Sequence, residues 1–326
     1  MVDTEQEVRS EAPRARRSTM WTRGMVPAAL AAILAAILAF HSAVPNAVGN
    51  LGSLLDTFLP WLGWLILPLG AWAALRRSAL AGAVLLLPVL VWAGMYAGLL
   101  PDKSDGARDL RVVAHNVNAA NTDAKQTAAT IVASKADVVA LEEVSQEELP
   151  SYESALGGAY PYHFQEGTVG IWSRDRITDS GPVDIGIGWT RAIRATVHTD
   201  AGQVAVYVAH LASVRVDSGG FTSGQRDTTA ERLGDAIAKE RLHSVLLLGD
   251  LNGTMQDRSL APLASQLEST QAVAGEGFGF TWPASFPMAR IDQILVRGVT
   301  PVRSWTLKRT GSDHLPVAAD VKVPGS

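Results

Sequence analysis

The side chains that could do chemistry in this sequence stand where short apolar runs begin or end. Asp313 and His314 come just before the last apolar run of the chain, and Glu143 closes an earlier one. The same kind of position is taken by Asn116, Glu142, His210, Asp250, Asn252 and Asp292. Because a sheet fixes the ends of neighbouring strands at one edge, we expect these side chains to share a cleft.

Acids, amides and histidines without cysteine indicate a particular kind of site. The chain of 326 residues has no Cys, which excludes thiol nucleophiles, disulfides and Cys-based zinc sites. Hard oxygen ligands suit Mg²⁺, or Mn²⁺ or Ca²⁺. A histidine beside a carboxylate can take up a proton near neutral pH. This set therefore predicts metal-assisted attack on a phosphate ester, in which the charge on phosphate oxygens must be neutralised.

Each residue taken alone has a simpler explanation. Glu143 by itself is typical of a solvated acid, His210 of a half-buried histidine, and Asp292 of a surface ion pair. The Asp-Leu-Asn-Gly stretch at 250–253 is by itself typical of a turn. The functional interpretation depends on all of them occurring together. No role in the site is assigned to His41, His115, His163, His198 and His243.

The elements that would position these residues are short β-branched runs separated by Gly-rich turns. Helices are predicted at 122–134 and 228–242, where apolar residues recur at helical spacing. Strands are predicted at 110–117, 136–141, 168–173, 191–198, 204–210, 244–248, 293–296 and 315–323. Many strands with few helices indicate an α+β sandwich.

Six short motifs occur in a familiar order: His-Asn-Val-Asn at 115–118, Leu-Glu-Glu-Val at 141–144, Ala-His-Leu at 209–211, Gly-Asp-Leu-Asn-Gly at 249–253, Arg-Ile-Asp at 290–292 and Ser-Asp-His-Leu-Pro at 312–316. Together they resemble the endonuclease/exonuclease/phosphatase superfamily. The resemblance covers residues 109–323 and implies a DNase I-like four-layer α/β sandwich with its site at one edge of the paired sheets.

The resemblance also implies roles for single residues. Glu143 would bind the metal, with Asn116 and Asp313 nearby. The residues that would hold and polarise the phosphate are His210, Asp250 and Asn252. Asp292 would orient His314, and either His314 or Asp250 would be the base. The family usually has Gln where this chain has Glu142, an added acid that could shift the metal preference.

The first hundred residues have a different composition. Three uncharged apolar runs, at about 25–44, 58–75 and 79–100, each approach the ~20 residues that cross a bilayer. We therefore predict a disordered cytoplasmic tail (1–24), a membrane anchor of three transmembrane helices (25–100), a polar linker (101–108) and a catalytic domain (109–326).

Charge predicts orientation and partners. The tail has an Arg cluster, and Arg76-Arg77 lies between the second and third runs, so the positive-inside rule places the N-terminus in the cytoplasm and the catalytic domain outside. Of the 28 basic and 32 acidic residues, seven and five precede Pro101, which leaves the remainder with a net charge of −6. Nucleic-acid binding usually requires a basic surface, so no nucleic-acid partner is expected, and no obligate protein partner is evident.

The whole layout, anchor included, resembles the VanJ-type membrane proteins associated with resistance to teicoplanin-like glycopeptides. This resemblance implies a lipid-linked phosphate substrate, such as undecaprenyl pyrophosphate or a related cell-wall carrier. The alternatives are a phospholipase or sphingomyelinase-like phosphodiesterase, an anchored extracellular nuclease and a non-enzymatic sensor.

Two loops are predicted to set the substrate. Residues 213–227 carry Arg215 and Arg226, and residues 275–287 carry four aromatic side chains. Those aromatic residues either lie against lipid or pack on the sandwich. They are Phe278, Phe280, Trp282 and Phe286.

Overall fold

The computed structural model describes residues 22–218 and 220–324, and the chain divides into two compact units. The first unit ends at Ala39 and resumes over Leu62–Val91, and the second comprises Phe40–Trp61 and everything from Trp92 onward. Most of the tail predicted at 1–24 lies outside the described residues. Its last three residues, Thr22–Gly24, form one 3-10 turn.

The helices are α1 (Met25–Ala39), α2 (Leu51–Phe58), α3 (Ile66–Leu75), α4 (Ala79–Tyr96), α5 (Ala124–Ala133), α6 (Leu149–Leu156), α7 (Gly224–Ala238), α8 (Ala261–Ala264) and α9 (Thr270–Ala274). The strands are β1 (Leu110–Asn116), β2 (Val138–Glu142), β3 (Tyr162–Glu166), β4 (Val169–Ser173), β5 (Ile177–Pro182), β6 (Ala192–Thr199), β7 (Gly202–Ala209), β8 (Val216–Asp217), β9 (Gly220–Phe221), β10 (Val245–Asp250), β11 (Glu268–Ser269), β12 (Asp292–Arg297), β13 (Thr300–Thr306) and β14 (Val317–Lys322).

The apolar N-terminal region contains two helical stretches long and apolar enough to cross a membrane, Leu51–Leu75 and Ala79–Leu99. The prediction of three transmembrane helices is corrected here. The first apolar run forms α1, which has 15 residues and is about 22 Å long at 1.5 Å per residue, short of a ~30 Å hydrocarbon core. A 3-10 turn at His41–Ala43 follows it instead of a further helical turn.

Two six-stranded sheets form the centre of the second unit. Their strand orders are β13-β14-β1-β2-β4-β3 and β11-β12-β10-β7-β6-β5. Alternate residues of the facing strands, such as Val112, Ala140, Val206 and Leu248, form one fully buried core between the sheets. Such alternation is expected because successive side chains of a strand point to opposite faces.

Helices cover the outer face of each sheet. Ala128 and Ile131 of α5 and Leu156 of α6 pack on the first sheet, while Leu233 and Ile237 of α7 pack on the second. The order helix, sheet, sheet, helix is the predicted α+β sandwich.

The predicted elements agree with the structure except at its edges. All eight predicted strands and both predicted helices exist, with ends shifted by up to four residues. Within the sandwich, the elements that were not predicted are the edge strands β3, β5 and β13, the two-residue strands β8, β9 and β11, and the helices α6, α8 and α9. The edge strands have polar, partly exposed residues, as in β5, where no residue is fully buried, so they lack the apolar pattern on which the prediction depends.

A buried acid attaches the segment Phe40–Trp61 to the sandwich. The side chain of Asp56 is fully buried, and Arg258 approaches it through Nη2 at 3.2 Å, while His41 Nδ1 lies 2.6 Å from its other oxygen. Arg258 also donates to the carbonyl oxygens of His41 and Val44. The first part of the stretch Leu51–Leu75 is therefore an integral part of the second unit.

Candidate metal-dependent phosphoesterase site

Sheet topology brings the predicted site residues to one edge. The parallel pairs β1–β2 and β7–β10 place the carboxyl ends of these four strands on the same side. β12 runs antiparallel to β10, so Asp292 at its start is paired with Asp250. The strand order therefore accounts for how residues more than 170 positions apart in sequence come together.

Residue parity within the strands decides which side chains enter the site. Val112 and Ala114 of β1, and Leu246 and Leu248 of β10, face the core between the sheets. Two positions nearer the site edge of each strand, on the same face, a polar residue takes the place of an apolar one. These are Asn116, Glu142, His210, Asp250 and Asp292, all buried.

Contacts between side chains link the central residues into one cluster. Asn116 Nδ2 donates to Glu143 Oε1 at 3.1 Å and to Asp250 Oδ2 at 3.0 Å. His210 Nε2 lies 3.5 Å from Glu143 Oε1 and 3.7 Å from Asp250 Oδ2. His314 Nε2 lies 3.9 Å from the same Asp250 oxygen. Glu143, Asp250 and His314, which the sequence analysis singled out, thus share one pocket.

The two histidines of the site have different protonation states. Burial would lower the pKa of His314, but Asp292 and Asp250 outweigh it and raise this pKa to about 10. Burial lowers the pKa of His210 well below its usual range, and Arg191 and His314 add to the effect. At neutral pH the site therefore holds one imidazolium and one neutral imidazole.

The carboxyl groups differ in the same way. Burial, with the charge of Asp292, raises the pKa of Asp250 towards neutrality. Burial also acts on Asp292, but the neighbouring His314 prevails and lowers its pKa. Pairs of titratable groups whose pKa values are pushed apart are typical of acid–base sites.

The residues present fit a divalent cation. Carboxylate oxygens of Asp250 and Asp292 lie within 4.8 Å of each other and of a His314 ring nitrogen, and Glu143 shares the contacts of Asn116 and His210 with Asp250. His314 carries a proton on each nitrogen when charged and then offers no ligand atom, so the acids would supply the negative charge that a cation balances. Burial is the main cause of the raised pKa of Asp250, and the charge of Asp292 adds to it. A cation beside these acids would favour their charged forms. Carboxylate oxygens are the ligands that Mg²⁺ prefers.

Glu142 and Glu143 have separate environments. Glu143 has a left-handed backbone, with φ of 58°, and its side chain is 30% exposed at the site. Glu142 is fully buried between the sheets, and neither of its oxygens has a hydrogen-bond partner. Burial, with Asp292 and Asp250, raises the pKa of Glu142 well above its usual range, which favours the neutral form of this carboxyl group over an anionic ligand.

Three residues that were predicted for the site have side chains engaged in other hydrogen bonds. Asn116 accepts from the Asn118 amide through Oδ1, so its nitrogen faces the acids, and binding a cation would need its amide to rotate. Asn252 Nδ2 donates to the carbonyl of Leu211. Asp313 lies at the exposed rim, where Asn118 Nδ2 donates to it at 2.8 Å. The metal-binding roles of Asn116 and Asp313 stay predictions.

The sequence analysis missed Arg191. It stands directly before β6, and its carbonyl accepts from the His210 amide, because Ala192 pairs with Ala209 across the β6–β7 hairpin. The Gly202 turn and the flanking apolar runs predict this hairpin, and its register would have placed Arg191 beside His210.

Aromatic side chains of the loop at 275–287 pack on one another and on Trp61 and Tyr96, while its backbone contacts the sandwich through Gly275 and Ser304. Phe278 and Phe280 stack at 5.1 Å, Phe280 stacks on Trp61 at 5.7 Å, and Phe278 contacts Tyr96 at 5.6 Å. The loop is thus held by the chain's own residues next to its apolar helices.

The comparisons agree with this fold. Residues 113–314 match the model of the endonuclease/exonuclease/phosphatase family, and the chain belongs to that family. Members of the family are metal-dependent phosphoesterases and nucleases. Among curated proteins, none matches the sequence.

Solved structures share the fold at low sequence identity. An endonuclease/exonuclease/phosphatase from Beutenbergia cavernae has 20% identity and a TM-score of 0.51, with 67% of this chain and 72% of that chain covered. TDP2 from D. rerio, complexed with a single-strand DNA product, has 20% identity, a TM-score of 0.55 and coverage of 65% and 98%. The beta toxin of Staphylococcus aureus has 16% identity, a TM-score of 0.52 and coverage of 65% and 99%.

Proposed function

We propose that this protein is a membrane-anchored, divalent-metal-dependent phosphohydrolase that acts on a lipid-linked phosphate. The substrate class is undecaprenyl pyrophosphate or a related cell-wall carrier, and its hydrolysis contributes to glycopeptide resistance. The observation that carries the hydrolase is the buried cluster of Glu143, Asp250 and His314, in which a charged imidazole and an acid with a raised pKa lie 3.9 Å apart.

The site residues have different roles in the proposed reaction. Glu143, with a rotated Asn116, would hold Mg²⁺, which supplies charge neutralisation at the phosphate when bound. Asp250 accepts the proton of the attacking water, since its raised pKa suits a base near neutral pH. His314, kept charged by Asp292, stabilises negative charge on the phosphate oxygens.

The anchor supports a substrate in the bilayer. The loop that leads into Arg290 and Asp292 packs on Trp61 and Tyr96, which belong to the two candidate stretches Leu51–Leu75 and Ala79–Leu99. A tethered site meets a membrane-bound substrate at a raised effective concentration. The net charge of −6 after Pro101 favours this class over nucleic acid, whose binding needs a basic surface.

Phosphate release tests the chemistry. The full-length protein in detergent is given prenyl pyrophosphates, phospholipids and duplex DNA, each with Mg²⁺ or with EDTA. We expect Mg²⁺-dependent release from the prenyl pyrophosphates only, and none from His314→Ala. Preferred cleavage of phospholipid or DNA would replace the proposed substrate, and activity equal in His314→Ala would reject the site. Expression of the wild type, and not of His314→Ala, should raise the tolerated teicoplanin concentration.

Single cysteines test the proposed outward orientation, because the native chain has none. Lys308 lies on the surface of the catalytic domain, and Arg76 lies in the turn between α3 and α4. A membrane-impermeant maleimide should label Lys308→Cys in intact cells and Arg76→Cys only after lysis. Labelling of Lys308→Cys only after lysis would place the domain inside.

A further inference from the structure

A buried guanidinium lies beside the catalytic cluster and has no role in the family resemblance. Arg191 is 8% exposed, and its Nη2 donates to the carbonyl of Leu211 at 3.2 Å. The same carbonyl accepts from Asn252 Nδ2 at 3.1 Å. The side chains of Arg191 and Asn252 are therefore held side by side through one shared oxygen.

The guanidinium faces acids that it does not pair with. Asp250 and Glu143 are the carboxylates whose charge acts on Arg191, yet neither forms an ion pair with it within 4.0 Å among the described residues. Its Nε has no hydrogen-bond partner. A buried guanidinium with a free donor and no paired carboxylate can accept an anionic ligand.

The position of Arg191 is fixed from three sides. Its guanidinium carbon lies 5.3 Å from the centroid of the Trp189 ring. Its backbone carbonyl accepts a hydrogen bond from the His210 amide at 2.8 Å, and its Nη2 donates to the carbonyl of Leu211. A donor fixed in place before the reaction needs no reorganisation as charge develops. Arg suits this purpose because its planar donors match the oxygens of a phosphate.

We propose that Arg191, with His210 beside it, forms the subsite for the non-bridging oxygens of a phosphate ester. The inference rests on the proposed phosphohydrolase function and refines it. The phosphate would lie between the guanidinium on one side and, on the other, Asp250 and the cation held by Glu143. Trp189, which is 53% exposed, borders this subsite and offers an apolar surface to the group esterified to the phosphate.

Two variants and one matched control test the subsite in the full-length protein. Arg191→Gln removes the charge, Arg191→Lys keeps the charge without the fork, and Arg303→Gln changes another arginine stacked on a tryptophan, Trp305, on the remote strand β13. With Mg²⁺ present, we expect kcat/KM for bis(p-nitrophenyl) phosphate to fall about 100-fold in Arg191→Gln, less in Arg191→Lys, and not in Arg303→Gln.

A binding measurement separates this inference from the proposed function. In calorimetry with Mg²⁺ present, inorganic phosphate should bind the wild type and Arg303→Gln with equal affinity, and Arg191→Gln at least 10-fold more weakly. The melting temperature of Arg191→Gln should equal that of the wild type. Phosphate binding that depends on Arg191 without hydrolysis of any ester would sink the proposed function and keep the subsite. Equal phosphate affinity in Arg191→Gln and wild type, or a change in Mg²⁺ affinity alone, would overturn the subsite.

Discussion

Asp292 binds His314 at the back of the site, with Nδ1 of the imidazole 3.0 Å from Oδ2 and 3.1 Å from Oδ1 of the carboxylate. Both side chains are buried, so the carboxylate decides the charge of the ring. The pair also fixes its direction, which leaves Nε2 turned towards Asp250. Asp292 thus acts on the reaction through His314.

Replacing this acid should lower activity and shift its pH dependence. In Asp292→Asn, loss of the negative charge lowers the pKa of His314, so the imidazolium deprotonates at lower pH. We expect kcat to fall by about 10²–10⁴-fold and the alkaline limb of the pH–rate profile to move to lower pH. The double variant Asp292→Asn/His314→Ala should lose little more activity than His314→Ala alone. Additive losses of activity would show that Asp292 and His314 act independently.

The adjacent acids Glu142 and Glu143 should respond differently to the same change. Glu143→Gln removes a charged oxygen from the site, so the Mg²⁺ concentration for half-maximal activity should rise by at least about 10–100-fold. Glu142→Gln should leave that concentration unchanged, because burial between the sheets favours the neutral form of Glu142. A weakened Mg²⁺ response in Glu142→Gln, with none in Glu143→Gln, would reverse the assignment.

The metal-free protein should lose stability as pH rises through the acid range. Burial raises the folded-state pKa of Asp250 to about 7, against about 3.9 in an unfolded chain. The folded state therefore binds the proton of Asp250 more tightly than the unfolded chain does. Between about pH 4 and 7, the contribution of this proton to the free energy of unfolding falls by at most about 1.4 kcal/mol per pH unit. Thermal unfolding in EDTA measures the slope.

Two comparisons isolate the source of that slope. Asp250→Asn carries no titrating group and should show a flatter dependence over the same range. Mg²⁺ at 100 times its Kd should add about 2.7 kcal/mol at pH 7. An unchanged slope in Asp250→Asn would assign the effect to other groups.

Two phenylalanines of the aromatic loop should give separable effects. Phe286 is 62% exposed, so Phe286→Ser should reduce hydrolysis of a lipid-linked phosphate and spare bis(p-nitrophenyl) phosphate. Phe278 stacks on Phe280 and contacts Tyr96, so Phe278→Ser should lower the melting temperature and both activities. Equal loss of both substrates in Phe286→Ser would exclude a lipid contact there.

The sequence by itself determined the main sheets and the chemical class of the site. Alternating apolar runs such as Val112–Ala114 and Leu246–Leu248 predict buried strands, and the polar residues that end them predict a shared edge. The absence of Cys excluded thiolate ligands, and the acids and amides favoured a metal that prefers oxygen. These inferences succeed because they depend on local periodicity and residue type.

The tertiary structure decided what depends on contacts between distant residues. It separated Glu142 from Glu143 by their directions, gave His210 and His314 opposite protonation states, and brought Arg191 to the site. It also reduced the three predicted spans to two candidates, since the first apolar run ends as a short helix. Burial and neighbouring charge are set by packing across the sheets, and no local pattern records them.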